Sequence, residues 1–429
     1  MSQATARTAT FPAQGEKTSV RRRREVGAPP TTLRDDSPLA YHLVWLTTVL
    51  LLIGGLCMVL SVSVAKAVSG GQKYGLFKPQ AIAAVIGLVL LAGLSRLDYR
   101  KLRPLSVIFV VMVGFSLLLV HVPGLSMSGG GASSWLRLGP LSFQPSEFAK
   151  LALVLVGAHL LSTPRMKAAT FRDYMLPFGV IGLGMCGLVT LERDLGTALI
   201  IAGLLMGLLW LSGMKWKQWA LIAGGGTVAS IALICSSAER MSRIFSFVNP
   251  SADPRGASYQ LWQSLVALGR GGWLGVGPGE SIQKFQYLPK AHTDMIFSIL
   301  GEEFGLLGTT VVLLLFAAFG VACWKLARRC ADPMGKYLIA GCGMLVSLQA
   351  IVNIGGVIGA LPLTGVPLPF ISYGRSSLLA MLLAVGVILA VARRAPVRPR
   401  QSAVRYGNVT RIDSRRWDGG PRGARTGAR

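Results

Sequence analysis

Charge is scarce in this chain of 429 residues. Asp, Glu, Lys and Arg make up 14% of it, against about a quarter in soluble proteins. The deficit falls on the acids, 18 against 44 basic residues. Too few charges remain to clothe a soluble domain of this size. Histidine is rarer still. Residues 42, 121, 159 and 292 are the only four, too scattered in sequence for a metal cluster. The six cysteines (57, 186, 235, 323, 330 and 342) have no metal-ligand spacing and lie in or beside apolar runs. They read as small core residues rather than a disulfide framework. No Gly-x-Ser-x-Gly elbow occurs, and nothing suggests a nucleophilic triad. A cleavable signal peptide is also missing. The first 38 residues are polar, with four arginines at 21–24 and a Pro-Pro pair, and read as a disordered cytoplasmic tail that ends where the first span begins.

Apolar sequence is what the chain has in quantity. It is 52% hydrophobic, with a mean hydropathy of +0.54. Long apolar runs recur, which predicts an all-α polytopic membrane protein. Ten spans are expected, at 41–64, 80–95, 104–121, 147–162, 175–191, 195–212, 218–236, 295–322, 337–358 and 374–392. Basic residues cluster in alternate connections: Arg96, Arg100, Lys101 and Arg103; Arg165, Lys167 and Arg172; Lys215 and Lys217; Lys325, Arg328, Arg329 and Lys336; then Arg393 and Arg394. The positive-inside rule puts these sites and both termini in the cytoplasm. The net charge of +26 is thus read as topology and not as nucleic-acid binding. Lys66, Lys73 and Lys78 are the exception, on the outside. The expected divisions are a basic tail at 1–38, a membrane domain at 39–394 and a second basic tail at 395–429.

Two outer connections hold the rest of the information. Residues 126–145 are rich in Gly and Ser and contain Trp135 and Arg137. Residues 237–294, between spans 7 and 8, form the longest loop, and a loop that long is usually functional. Its piece Tyr259–Leu268 is amphipathic and suits the membrane interface. The segment Gly271–Gly279 lacks the strand–helix context of a nucleotide loop and reads as a pliable wrap around a bulky ligand. Arg255, Arg270, Lys284 and Lys290 supply cations that suit a phosphate or simply face water.

Charges within or beside spans are costly, so each is a candidate for function. They are Glu147, Lys150, Glu192, Arg193, Asp194, Asp294, Glu302, Glu303 and Arg375. Asp294 precedes an apolar run, and two readings are open: Thr293 or Asp294 caps the next helix, or Asp294 is a general base. His292 is a second acid/base group or an interfacial polar residue. Glu302 lies about 12 Å further along the helix, too deep to share a reaction with Asp294. Glu302 and Glu303 are expected in structural ion pairs, with Lys150 as a partner. Glu147, three residues before Lys150, is expected in the same role.

Six motifs in one order carry a resemblance. They are Gln144-Pro-Ser-Glu-Phe-Ala-Lys150, Asp194-Leu-Gly-Thr-Ala198, Tyr259-Gln260, Tyr287-Leu-Pro with His292-Thr-Asp294, Gly301-Glu-Glu-Phe-Gly305 and Pro367-Leu-Pro-Phe-Ile-Ser-Tyr-Gly374. Over residues 41–394 the chain resembles the SEDS family (shape, elongation, division and sporulation), and its division branch more than its elongation branch. Two positions depart from the family pattern. Glu192-Arg193 stand where Gln-Pro is usual, and Arg375 replaces a glycine.

The resemblance implies a bacterial plasma-membrane enzyme of ten spans at the division septum. Its reaction would be peptidoglycan glycosyl transfer, polymerising lipid II with inversion at the anomeric carbon. The implied partners are a class B penicillin-binding protein with transpeptidase activity and other division proteins. Asp294 stands at the family's essential outer aspartate. The leaving pyrophosphate needs its charge met, by Arg or Lys or by a divalent cation such as Mg or Mn. No cofactor or metal ligand set is assigned. The candidate substrate-binding residues are Lys284, Arg137, Lys150, Trp135 and His292. Two other classes compete: a lipid II flippase, which needs polar groups along the whole membrane path, and a scaffold that only activates the transpeptidase.

Overall fold

The computed structural model describes residues 32–68, 72–122, 126–129, 132–138, 141–164, 166, 170–285 and 287–398. In chain order the helices are α1 (Leu33–Asp36), α2 (Pro38–Val68), α3 (Phe77–Arg96), α4 (Leu102–Leu119), α5 (Pro145–Leu161), α6 (Phe171–Tyr174), α7 (Val180–Leu191), α8 (Leu195–Leu211), α9 (Trp216–Cys235), α10 (Ala238–Val248), α11 (Tyr259–Gly271), α12 (Ile296–Arg329), α13 (Pro333–Val357) and α14 (Arg375–Arg394). Eight of the described helical segments are long and apolar enough to cross a membrane, and α8 is an apolar helix of slightly shorter length. With α5, also 17 residues, they occupy the ten positions expected for spans.

The centre of the bundle is α5, α13 and α14, whose residues are mostly buried. Small residues let these helices approach. A Cβ on Gly87 of α3 would lie 2.4 Å from Leu382 of α14, and one on Gly386 would lie 3.2 Å from the Leu91 backbone. Where lipid tails are as apolar as the core, such backbone proximity rather than hydrophobic exclusion holds helices together. By contrast α9 has no buried residue and stands at the edge.

Folded structure extends past both expected domain boundaries. In α1, Leu33 is wholly buried, and Thr32 bridges Pro396 while Cys330 bridges Val397. Arg329 grips Asp36 with two parallel bonds, Nε to Oδ2 at 2.9 Å and Nη2 to Oδ1 at 2.8 Å. Arg394 donates to the Arg96 carbonyl. The two ends of the described chain, the α12–α13 turn and the end of α3 therefore share one face. The expected tails at 1–31 and 399–429 lie outside the described residues.

The other end of α12 is about 50 Å away, at 1.5 Å per residue over 34 residues. There the outer connections are structured. Residues within 126–143 form an antiparallel sheet, β1 (Ser126–Gly129), β2 (Ala132–Leu138) and β3 (Leu141–Phe143), in the order β1-β2-β3. Sequence reading gave only a Gly/Ser loop there, because weakly alternating small residues hide strands.

The glycine segment after α11 is not a pliable wrap. It lies against α12, where Val276 and Gly277 donate to the Glu302 and Glu303 carbonyls, and Leu306 and Leu307 donate to Gly272 and Trp273. A Cβ on Gly271 would stand 2.0 Å from the Gly301 oxygen, and one on Gly275 2.2 Å from that of Glu303. The glycines are there because two backbones touch. Gly305 breaks the α-helical torsions at this point (φ +63°), so that α12 can receive those bonds. Likewise α11 is docked rather than free in the interface. Ser264 bonds Ser298 and the Val357 carbonyl, both at 2.7 Å.

Candidate active site

Asp294 sits in a backbone fixed at three successive residues. The His292 carbonyl accepts from the Tyr373 amide at 2.9 Å. The Thr293 carbonyl accepts from Ser372 Oγ at 2.6 Å, and the Asp294 carbonyl from Asn353 Nδ2 at 2.9 Å. Asn353 Nδ2 also reaches the Val366 carbonyl at 2.7 Å. Gln80 of α3 completes the frame, bonding the Ser372 carbonyl and the Gly374 amide. Helix α13 and the 364–374 segment thus hold the turn that precedes α12. Neither Thr293 nor Asp294 caps that helix. Met295 is the N-cap and makes no side-chain cap bond. The capping reading of Asp294 therefore falls, and its carboxylate is left for other work.

That carboxylate lines a cavity of about 440 Å³ at the end of the bundle opposite the chain termini. Asp294 is only 8% exposed. Burial pushes its pKa up, while Lys290, with Nζ 3.9 Å from Oδ2, and Arg243 push it down. Asp194, the second carboxylate of the cavity, pushes it up again. Asp194 is the N-cap of α8. Its Oδ1 accepts from the Thr197 amide at 3.0 Å and its Oδ2 from Gln144 Nε2 at 3.3 Å. Burial raises its pKa as well. Four cations line the same cavity: Arg193, Arg243, Lys290 and Arg375. Arg375 is steadied by Ser142 of β3, at 2.9 Å.

The sequence-based candidates divide. Asp294, His292 and Trp135 line the cavity. The His292 ring packs at 5.7 Å against Tyr373, and burial holds its pKa down at about 4, so it is neutral near pH 7. Lys284, Arg137 and Lys150 are not in the cavity wall. Lys284 is buried elsewhere, bound to Glu303 at 2.9 Å, to Ser61 Oγ at 3.0 Å and to the Gly279 carbonyl. Arg137 is exposed on β2. Lys150 is buried in α5, at 2.8 Å from Glu147 and 2.6 Å from Gln349 Oε1. Gln349 in turn reaches Ser377, a residue of the cavity wall, at 3.3 Å. Lys150 therefore acts on the cavity through Gln349 and through its charge on Asp194. Glu147 and Glu303 each sit in an ion pair, but the partner of Glu303 is Lys284 and not Lys150. Glu302 accepts from Ser281 Oγ and from the amides of Ile282 and Gln283, with Arg270 at 3.7 Å.

Sequence reasoning missed Arg243, which α10 delivers to the cavity. The signal that marks its helix is amphipathic spacing, with Met241, Ile244, Phe245 and Val248 set against Glu239, Arg240 and Arg243. Arg193 and Arg375, departures from the family pattern in sequence, both line the cavity in the fold. Among the described residues no three His, Cys, Asp or Glu side chains gather as a metal centre. The cavity walls offer two carboxylates beside four cations, a donor set that does not by itself form a divalent-cation site.

Known proteins match along the same stretch. Residues 41–396 fit the family model of the cell cycle proteins FtsW, RodA and SpoVE. Stage V sporulation protein E of Bacillus subtilis (strain 168) is 38% identical over 347 residues, covering 81% of this chain and 95% of that protein. The probable peptidoglycan glycosyltransferase FtsW of Nitrosococcus halophilus is 39% identical, covering 77% and 86%. Among solved structures, a chain of a peptidoglycan synthase complex that coordinates polymerization and crosslinking superposes with a TM-score of 0.66 at 28% identity, over 82% of this chain and 96% of that one. The rod shape determining protein RodA of Thermus thermophilus gives 0.60, also at 28% identity, over 82% and 95%. In sequence and in fold alike, this chain belongs to the FtsW, RodA and SpoVE family of multi-pass membrane proteins.

Proposed function

We infer that the chain is an FtsW-like peptidoglycan glycosyltransferase that polymerises lipid II at the outer face of the bacterial plasma membrane. The observation that carries this is the placement of Asp294: a buried carboxylate on a hydrogen-bonded backbone, in a cavity walled by four cations. A general base needs a fixed position and a pKa below the working pH but not far below it. Burial raises the pKa of Asp294, and Lys290 and Arg243 keep the rise in check.

The acceptor is the sugar 4-hydroxyl of one lipid II, and the donor is a growing glycan on a lipid pyrophosphate. Asp294 takes the hydroxyl proton as the oxygen bonds to the anomeric carbon. The bond from that carbon to the pyrophosphate oxygen breaks on the opposite face, and its electron pair leaves with the lipid pyrophosphate. Attack from behind inverts an α-linked donor into a β-linked product. The leaving group is already a weak base and needs its charge neutralised more than it needs a proton. The four cavity cations meet that need with the chain's own side chains.

We place all ten helices across the membrane, both termini in the cytoplasm and the cavity outside. The basic connections at Arg96, Arg329 and Arg394 share the face of the chain ends, in support of that orientation. The matched synthase complex supports a transpeptidase of the class B penicillin-binding type as the partner, and the FtsW relatives support the division septum as the place of work. The test is polymer formation from lipid II by the purified chain with its partner, comparing wild type with Asp294→Asn.

A further inference from the structure

Arg243 occupies a junction. It lines the large cavity and also two smaller hollows, of about 200 and 230 Å³. The first of these shares Lys290, Asp294 and Gly365 with the large cavity, so Asp294 stands in a wall between two chambers. Beyond that wall the lining mixes the hydroxyls of Ser242 and Ser246 and the amide of Gln260 with apolar Phe247, Leu261 and Met295, and Glu239 stands at the side. The second hollow is an apolar groove between α8, α9, α10 and α13, lined by residues such as Leu199, Ile234 and Val352. It opens towards the large cavity at Leu195, Arg243 and Thr364.

The three linings have different chemistry. An apolar groove that ends on arginine suits a polyprenyl chain carrying phosphate. A chamber with four cations suits a pyrophosphate. A chamber that sets hydroxyls and an amide beside apolar faces suits a sugar, which offers neutral donors and acceptors around a ring with apolar C–H faces. We propose that Arg243 binds the donor's pyrophosphate where its polyprenyl chain leaves the groove, and that the acceptor sugar enters from the Ser242 chamber on the far side of Asp294. This assignment rests on the reading of Asp294 as general base, and it sets the acceptor hydroxyl beside that base, with the pyrophosphate on the face of the anomeric carbon away from it, as an inverting attack requires.

The resting contact of Arg243 suits such a role. Its Nη2 pairs with Glu239 Oε1 at 2.8 Å, one turn earlier on α10, and both side chains are substantially exposed. A helical pair of that kind is weak and salt-screened. It parks the guanidinium without trapping it. A pyrophosphate, with more charge and a geometry that takes two parallel bonds, displaces a single exposed carboxylate.

The experiment is direct binding, which does not require turnover. Full-length protein in detergent is titrated with undecaprenyl pyrophosphate and with undecaprenol. Wild type should hold the pyrophosphate and discriminate strongly against the alcohol. Arg243→Gln should weaken pyrophosphate binding by about tenfold to a hundredfold, the range expected for a charge-assisted contact, with an unchanged melting midpoint. Arg243→Lys should fall between, since the charge remains and the fork is lost. Glu239→Gln should bind as tightly as wild type or tighter. Ser242→Trp, which fills the other chamber, should bind pyrophosphate normally and yet make no polymer from lipid II. Normal pyrophosphate binding by Arg243→Gln overturns the proposal, as does loss of that binding in Ser242→Trp. The general-base reading is tested separately in the same set: if Asp294→Asn polymerises lipid II, that reading fails whatever the binding pattern.

Discussion

Asn353 Nδ2 donates to the carbonyl of Asp294 at 2.9 Å, and the same nitrogen donates to Val366 at 2.7 Å. One buried amide in α13 thus fixes the backbone of the proposed base to the 364–374 segment beside it. Asn353→Ala leaves two buried carbonyls without a donor, at a cost of about 1–3 kcal/mol each, less whatever relaxation or water recovers. The expected result is a lower melting midpoint and a fall in kcat greater than the change in KM, since the carboxylate is displaced while the cations stay. An unchanged kcat would show that the carboxylate is held by other means.

Lys290 is expected to move the acid limb of the pH–rate profile. Its ammonium, 3.9 Å from Asp294, favours the ionised carboxylate that a base must be. In Lys290→Ala the Asp294 pKa rises further, so activity should fall away at a higher pH than in wild type. The check is the rate across about pH 4.5–8, the span from ordinary carboxyl values to the range a buried carboxylate reaches. A shift of that limb to lower pH would contradict the electrostatics described for the site.

Glu192 offers a stability measurement independent of turnover. It is fully buried at the turn between α7 and α8, and neither carboxylate oxygen has a hydrogen-bond partner. Burial, and then Asp194, raise its pKa to about 8. The folded protein thus binds this proton more tightly than the unfolded chain, whose value is the ordinary 4.5. The group's contribution is at its most favourable below about pH 4.5, declines as pH rises, and is spent above about pH 8. Glu192→Gln keeps the shape and removes the titration. Its melting midpoint should gain on that of wild type progressively between those values, and a constant difference would refute the assignment.

Lys284 was expected at the substrate and is found bound to Glu303, both nearly inaccessible. Removing one partner of a buried pair costs about 3–5 kcal/mol, because the other charge is stranded, whereas replacing both is often near neutral. Lys284→Met and Glu303→Gln should each destabilise strongly, and the double variant should recover most of the loss. If Lys284→Met folded normally and lost only substrate binding, the sequence-based role would be restored.

Much of this was legible in the chain. Apolar runs of span length marked ten positions that all prove helical, since a helix in a bilayer has little freedom of composition whether it faces lipid or other helices. The Thr293-Asp294 step before an apolar run pointed at the proposed base, although two readings of it stayed open until Met295 proved to be the cap. What could not be read depends on contacts across the chain. Whether Lys284 or Arg243 faces the cavity is decided by residues 223 positions away at Ser61 and by the lie of α10. The glycines at 271 and 275 look flexible in sequence, and only the α12 backbone against them shows that they mark close contact.

In the proposed reaction the Asp294 carboxylate takes the acceptor proton. The direct measurement is glycan polymer made from lipid II by the purified chain with its transpeptidase partner bound, for wild type and for Asp294→Asn. A positioned general base is worth about a hundredfold to ten-thousandfold in rate. Asp294→Asn should lose rate to that extent, with the fold and the partner complex intact. Equal polymer from the two proteins would contradict it.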